Sequence, residues 1–256
     1  MPHGYSINDR QVCRQDNARH VNQRVEAERN FAAQQSRRPQ QNRTTSNTQA
    51  ARRRAQIRIQ NAVSVANKEV ARGVREVNEN DSTRIRDYKF GEVNNWDWCS
   101  FFTNYCYGIG QGDNRTLFGI AQDKVGRSQT VKRQAQAHGY FSNANSGYTP
   151  KVGDLAIWSH KTNPDLGHIG IVTKVYSDGS YDVTEGNRDD KISVVHYNSQ
   201  RASDADLKTK RFSGFVRMED YLCDLEAGKL YATLSEDEQS TDLYEKDDQS
   251  TFGYLG

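Results

Sequence analysis

The sequence predicts an α+β fold, with helices packed on a small antiparallel sheet. Apolar residues recur at helical spacing in the region 62–137, whereas residues 153–218 contain short segments rich in β-branched and aromatic residues. Helical and strand patterns that are segregated along a chain are typical of α+β domains. We therefore expect the helices to come first and the sheet to follow.

Three stretches are predicted to be helices. The first has its apolar residues on one face, at spacings of three and four: Val63, Ala66, Val70, Val74 and Val77. The second begins at Cys99, keeps Phe102 and Cys106 on the same face, and ends at the glycines that follow. The third covers about 130–137 and precedes another glycine.

Five segments are predicted to be strands: 153–158, 168–176, 181–186, 193–198 and 212–218. Asp178 and Gly179 predict a hairpin turn between the second and the third. The register of this hairpin stays open. A two-residue turn puts Glu185 opposite Val172, whereas a turn two residues earlier, or a bulge, brings Glu185 to His168.

Charge divides the chain of 256 residues into three regions. Residues 1–60 are rich in Arg and Gln and form a basic arm, disordered or helical only against a partner. Residues 61–218 contain the predicted strands and helices and form the central domain, and residues 219–256 form an acidic tail that opens with a short helix. An arginine-rich arm can neutralise phosphates, but this one lacks interleaved aromatic residues, so nucleic acid is a disfavoured partner.

The four cysteines, at positions 13, 99, 106 and 223, have neither CxxC nor zinc-finger spacing. We therefore expect free thiols, and neither a metal nor a cofactor. The N-terminus lacks the apolar segment of a Sec signal peptide, and no run approaches the ~20 apolar residues of a membrane span. The protein is expected to be made in the cytoplasm and, if it leaves the cell, to use another route.

Cys99, His168, Glu185 and Asn187 are the candidate site residues. At a helix start, unsatisfied N–H groups favour a thiolate at Cys99 and can hold the oxyanion of a tetrahedral intermediate. Thiolate chemistry also needs an imidazole to move the proton, and that imidazole needs a third group to orient it. His168 and Glu185 open and close neighbouring predicted strands, so they can supply both.

The segments WDWCSFFTNYC, PKVGDLAIW, GHIGIV, VTEGN and GFVRM, in this order, resemble the CHAP family of cysteine amidohydrolases and peptidases, in the NlpC/P60-like, papain-like superfamily. The resemblance covers about 62–218. It implies that Cys99 is the nucleophile, His168 the base, Glu185 the orienting acid and Asn187 an accessory polar group. It also implies the peptide part of bacterial peptidoglycan as substrate.

Several residues near these motifs have alternative interpretations. Trp96, Trp98 and Asn95 are predicted to bind substrate, although Trp98 packs equally well beneath the helix. A second oxyanion donor is expected from Asn94, Asn95, Asp97 or Tyr88. Other side chains compete less well for the catalytic roles: His160, His196 and Asp154.

The sequence therefore predicts a peptidoglycan amidase or endopeptidase that acts at the cell wall or in the periplasm. It is either an antibacterial effector exported by a dedicated secretion system or a phage lysin released by lysis. An immunity protein or a secretion-machine component is the expected partner of the arm or tail. Two alternatives stay open: a thiol amidase or protease acting on a γ-glutamyl or polyamine conjugate or a host protein, and an inactive fold used as a binding module.

Overall fold

The computed structural model describes residues 47–198 and 205–230. The chain divides at Ala50 into two units. Of the first unit, only the helical residues 47–50 are described, and the second unit carries the fold that follows. The predicted α+β class is confirmed.

Within the described residues the helices are α1 (47–71), α2 (Thr83–Tyr88), α3 (Cys99–Tyr107), α4 (Ser128–Ala137) and α5 (Met218–Glu226), with 3₁₀ turns at Ile109–Gln111 and Leu117–Gly119. The helices predicted at Cys99 and near 130–137 are present. Helix α2 was not predicted, because its six residues are mostly polar. Its Ile85 is nevertheless buried, and Ser82 accepts a hydrogen bond from the Ile85 amide as the N-cap.

Helix α1 begins earlier than predicted. Its buried face consists mainly of small residues, of which only Ala66 belonged to the predicted stripe: Ala51, Ala55, Ile59, Ala62 and Ala66. Val77 lies beyond the end of the helix and is 78% exposed, so the predicted stripe was wrong there. Residues 47–60 of the predicted arm are therefore helical, and residues 1–46 lie outside the described residues.

A six-stranded antiparallel sheet contains all five predicted strands, in the spatial order β1-β6-β2-β3-β4-β5. The strands are β1 (Phe141–Asn143), β2 (Leu155–His160), β3 (Gly167–Val175), β4 (Tyr181–Glu185), β5 (Ser193–Tyr197) and β6 (Lys210–Val216). The three residues of β1 are too few to show an alternating pattern, and this strand was not predicted.

Two apolar clusters cover the two faces of the sheet. Leu155 and Ile157 of β2 belong to the cluster that includes the helices, whereas Ala156 and Trp158, which alternate with them along the strand, belong to the other cluster. This alternation is the expected pattern of a sheet covered on both faces. Helix α5 adds Tyr221 and Leu222 to the helical cluster, so the fold extends beyond the predicted boundary at 218. Residues 231–256 of the predicted tail lie outside the described residues.

Candidate active site

Cys99 is the first residue of α3, where backbone N–H groups have no partner within the helix. The residue is only 5% exposed. Two hydrogen bonds fix the first turn: Ser100 Oγ donates to the Val125 carbonyl at 2.6 Å, and Thr103 Oγ1 donates to the Cys99 carbonyl at 3.0 Å. The thiol is therefore held at a rigid helix start.

His168 is the second residue of β3 and is also 5% exposed. It pairs with Trp158 across the β2–β3 ladder, and the two ring centroids lie 5.7 Å apart. Its Nε2 lies 2.7 Å from Glu185 Oε2. This hydrogen bond fixes the ring, so Nδ1 is the nitrogen left to face Cys99.

The β3–β4 hairpin has a register that differs from both simple alternatives. Glu185 pairs with Gly170, because the turn is one residue longer than Asp178-Gly179 alone and the register shifts again between Val172 and Lys174. This irregularity is the bulge that the sequence left open. Glu185 thus lies two residues from His168 on the same face, and its side chain reaches the imidazole diagonally.

Glycines at two positions permit this approach. A Cβ on Gly170 would lie 2.8 Å from the Cγ of Glu185 and 2.5 Å from a methyl group of Val183. A Cβ on Gly186 would lie 2.7 Å from the Cβ of Phe102, which is one turn after Cys99 in α3. Such contacts are closer than van der Waals packing allows. The last glycine of GHIG therefore leaves space for the Glu185 side chain, and the glycine of EGN lets α3 approach the end of β4.

Glu185 is fully buried and has two further partners that the sequence did not predict. The Tyr197 hydroxyl donates to Oε1 at 2.5 Å, and Arg188 Nη1 lies 3.5 Å from Oε2. Tyr197 lies on the edge strand β5, and only its place in a predicted strand was visible from the sequence. Both carboxylate oxygens are thus satisfied, and Oε2 is directed at the histidine.

The electrostatics of His168 reflect both neighbours. Burial lowers the pKa of His168, but hydrogen bonding and charge interaction with Cys99, followed by the same interactions with Glu185, outweigh burial and raise this pKa to about 9. The imidazole is therefore protonated at neutral pH, with the Cys99 side chain beside it. An imidazolium–thiolate pair is the reactive form of a cysteine nucleophile.

A cleft of about 260 Å³ opens onto Cys99. Its wall includes Trp96, which is 51% exposed and stacked on Phe101 at 6.4 Å between ring centroids. Charged groups also line it, and they are mainly carboxylates: Asp97, Asp123, Asp165 and Arg127. A larger, more apolar cavity of about 400 Å³ is lined by residues such as Phe118 and Tyr221 and includes neither Cys99 nor His168.

The other predicted site residues have different outcomes. Asn187 donates to Asn80 Oδ1 and Asp97 Oδ1, each at 3.1 Å, so it braces the loop before Cys99 rather than the imidazole. Trp98 is fully buried and donates to Glu76 at 2.8 Å, so its predicted substrate role is wrong. Asn95 is exposed and does not line the cleft, whereas Trp96 does.

Of the proposed oxyanion donors, Tyr88 is buried and donates instead to Glu69 at 2.6 Å. Asn94 Oδ1 accepts a hydrogen bond from the Trp96 amide, and the Asp97 carboxylate accepts one from Asn187. The amide of Cys99 is then the donor best placed to meet an oxyanion, because it is at the helix start beside the thiol.

The competing candidates lie outside this constellation. His160 Nδ1 accepts from the amides of Thr162 and Asn163. His196 is paired with Asp182 at 2.8 Å. Asp154 is buried and accepts hydrogen bonds from Tyr148, Lys151 and Met218, so it anchors a turn to the start of α5.

Within residues 47–198 and 205–230, no group of three or more His, Cys, Asp or Glu side chains is arranged to hold a metal ion. The same residues contain no helix with both the length and the apolar character that crossing a bilayer requires.

Comparison with protein families matches residues 91–187 to the CHAP domain. The match begins shortly before Cys99, includes His168 and Glu185, and ends at Asn187. The predicted resemblance to the CHAP family is therefore confirmed over these residues. Such domains are typically hydrolases with amidase or peptidase activity. No curated protein matches the chain.

Proposed function

We propose that this chain, whose residues 91–187 match the CHAP domain, is a cysteine-dependent amidase or endopeptidase that cleaves amide bonds in the peptide part of bacterial peptidoglycan. The proposal rests on the contact series that runs from Cys99, which lines an open cleft, to His168 and Glu185 behind it. A buried, hydrogen-bonded carboxylate behind an imidazole beside a thiol is an arrangement typical of catalytic sites.

In the first half-reaction the Cys99 thiolate attacks the carbonyl carbon and a C–S bond forms. The carbonyl oxygen becomes an oxyanion, which the Cys99 amide N–H stabilises. His168 then donates its proton to the nitrogen of the leaving group, the C–N bond breaks, and the amine departs. Glu185 keeps the imidazole aligned and stabilises its charged form.

The second half-reaction releases the acyl group. His168, now neutral, takes a proton from water, and the resulting hydroxide attacks the thioester carbon. The C–S bond breaks, the carboxylic acid leaves, and the thiolate and imidazolium are restored. Neither half-reaction needs a group outside Cys99, His168, Glu185 and water.

The cleft supports a polar, extended substrate. Its charged lining and the half-exposed Trp96 suit a peptide that lies across the opening rather than a small apolar molecule enclosed by it. Peptidoglycan stems are short peptides with alternating apolar and charged groups. We further propose delivery as an antibacterial effector or a phage lysin, with the basic arm or the acidic tail engaging an immunity protein or a secretion component.

Digestion of purified sacculi tests the function directly. Wild-type protein should release muropeptide fragments whose masses identify the cleaved amide bond, and Cys99→Ala should release none. His160→Ala is the matched control, because its imidazole lies at the end of β2, outside the site. Its activity should stay within about twofold of wild type.

Other outcomes separate the substrate from the chemistry. If the protein hydrolyses a γ-glutamyl amide or a protein but leaves sacculi undigested, the peptidoglycan proposal is wrong. The proposed mechanism would still hold for the other substrate. Alkylation of Cys99 no faster than that of an unfolded-peptide thiol, together with no hydrolysis of any amide, would contradict the mechanism itself.

A further inference from the structure

Lys89, immediately after α2, is fully buried, which is rare for a lysine. Its ammonium group donates to two backbone carbonyls, those of Asn80 and Asn94, each at 2.8 Å. Burial lowers the pKa of Lys89, and the carboxylates of Asp81, Glu76 and Asp97 oppose that shift. The buried Lys89 ammonium group therefore joins the loop that contains Asn80 to the loop that contains Asn94.

One of these loops is the approach segment, residues 94–98, which leads directly into Cys99. It contains no regular secondary structure. Side chains from outside the segment hold four of its five residues, through these hydrogen bonds: Lys89 to the Asn94 carbonyl at 2.8 Å, Asn80 to the Asn95 carbonyl at 2.9 Å, Asn187 to Asp97 at 3.1 Å, and Trp98 to Glu76 at 2.8 Å. The remaining residue, Trp96, stacks on Phe101.

Asn80 is the junction of this network. Its carbonyl accepts from Lys89, its Nδ2 donates to the Asn95 carbonyl, and its Oδ1 accepts from Asn187. Its backbone has a φ of 53°, in the left-handed region that Asn tolerates better than most residues. A strained backbone that is held by several hydrogen bonds is typical of a segment whose position matters.

We infer that Lys89, acting through Asn80 and the approach segment, is a positioning residue that fixes the Cys99 amide N–H and the Trp96–Asp97 wall of the cleft. The inference rests on the proposed function, because that N–H is the proposed oxyanion donor. The thiol itself is held separately, by the first turn of α3 and by His168. Loss of Lys89 should therefore disturb oxyanion stabilisation and leave the imidazolium–thiolate pair in place.

Lys89→Met keeps the length and apolar stem of the side chain and removes all three donors. Amide hydrolysis by this variant should show a kcat about ten- to a hundredfold lower, because oxyanion donors lose their effect when misplaced. Alkylation of Cys99 by iodoacetamide should stay within about twofold of wild type across pH, since a small alkylating reagent needs no oxyanion donor. This split between two reactions of one thiol is the expected signature.

Lys132→Met is the matched control. Lys132 is also partly desolvated, and it donates to Ser159 and Ser213 at 3.0 and 3.3 Å, away from the approach segment. Its variant should lose some stability and retain kcat within about twofold.

Asn80→Gly provides a second test if Lys89→Met does not fold. Glycine accepts the positive φ, so only the side-chain hydrogen bonds are lost. In either folded variant, hydrogen exchange of the amides of 94–99 should accelerate at least about tenfold, with the exchange of β3 unchanged.

Unchanged exchange or unchanged kcat, or equal losses of hydrolysis and alkylation, would overturn the inference. A wild type that cleaves no amide would instead contradict the proposed function, and the exchange result would still decide the positioning role.

Discussion

Two buried glutamates, Glu185 and Glu69, have similar surroundings and different cations. Each is almost fully excluded from solvent, at 0% and 1% exposure. Each accepts a hydrogen bond from a tyrosine hydroxyl, Tyr197 at 2.5 Å and Tyr88 at 2.6 Å. Each is also connected to a cysteine of α3: Glu185 shares the partner His168 with Cys99, and the charge of Glu69 acts on Cys106.

The cation paired with each glutamate determines whether the site can transfer a proton. Glu69 is paired with the guanidinium of Arg84, whose Nε donates to it at 2.8 Å, and with Arg72. Burial raises the pKa of Glu69, but hydrogen bonds from Arg84 and Tyr88 outweigh burial and lower it. An arginine does not release its proton in proteins, so this pair can only stabilise the fold.

At Glu185 the main partner is an imidazole, which can gain and lose a proton near neutral pH. The two cysteine thiols, Cys106 near Glu69 and Cys99 beside His168, also differ. Burial, and then the charge of Glu69, raises the pKa of Cys106 well above its ordinary value, so Cys106 is an inert core thiol. Cys99 instead lies beside a protonated histidine. Four predictions test whether this contrast between a fixed ion pair and a titratable one is correct.

The largest effect is expected at the two cysteines. Cys99→Ala should reduce amide hydrolysis at least about ten-thousandfold, because the nucleophile is lost, and His168→Ala should do likewise. Cys106→Ala should retain kcat and lose about 1 kcal/mol of unfolding free energy through a small cavity. Initial rates and urea unfolding of the three variants check this. Substantial activity in His168→Ala would contradict the assigned role of the imidazole.

The two glutamates should separate activity from stability. Glu185→Gln should lower kcat about a hundredfold or more, because an amide cannot stabilise the imidazolium. Glu69→Gln should leave kcat within a few-fold but cost about 3 kcal/mol of unfolding free energy, because it leaves the partly buried Arg84 with only the exposed Asp87 as counter-charge. Steady-state kinetics and chemical denaturation measure both. If Glu69→Gln were the more catalytically impaired, the functional contrast between the sites would be wrong.

A smaller effect is expected from the tyrosines. Tyr197→Phe should lower kcat about tenfold and leave KM unchanged, because one hydrogen bond to the catalytic carboxylate is lost. Tyr88→Phe removes the equivalent bond at Glu69 and should lower only stability, by about 1 kcal/mol. Tyr181→Phe is a further control, because Tyr181 stacks on Tyr197 at 5.8 Å but donates no hydrogen bond to Glu185. Equal kcat in all three variants would remove Tyr197 from the site.

The smallest effect concerns stability against pH. The pKa of His168 is raised from 6.5 to about 9 in the folded protein, so its stabilising contribution is complete below pH 6.5 and is lost as the pH rises to about 9. Wild type should lose on the order of 5 °C in Tm across this range, beyond any loss in Cys99→Ala. Calorimetry at several pH values measures the difference. Parallel curves for the two proteins would contradict the coupling.

Patterns along the sequence predicted the sheet and the head of α3, because long apolar segments and a helix start leave local signals. They did not predict the hairpin register, because it depends on a longer turn and on the irregularity between Val172 and Lys174, and neither has a distinct residue pattern. They also did not show that Trp96 faces the cleft and Trp98 the core, because the side-chain directions in the segment before α3 depend on tertiary contacts. Most of the buried face of α1 was missed because it consists mainly of alanines.

Charged residues with structural roles were missed for a related reason. Glu69, Lys89 and Arg188 look like ordinary surface residues in the sequence, and only the fold brings each to its partners. A residue can be identified as a buried charge only when the fold shows the groups that compensate that charge.

Cys99 and His168 form one coupled pair, and NMR titration of the His168 imidazole, assigned by comparison with His168→Ala, is the sharpest test of this coupling. We expect titration at about pH 9 in wild type and a clear shift to lower pH in Cys99→Ala, where burial is opposed by Glu185 alone. Titration near pH 6.5 in wild type, unchanged in Cys99→Ala, would contradict it.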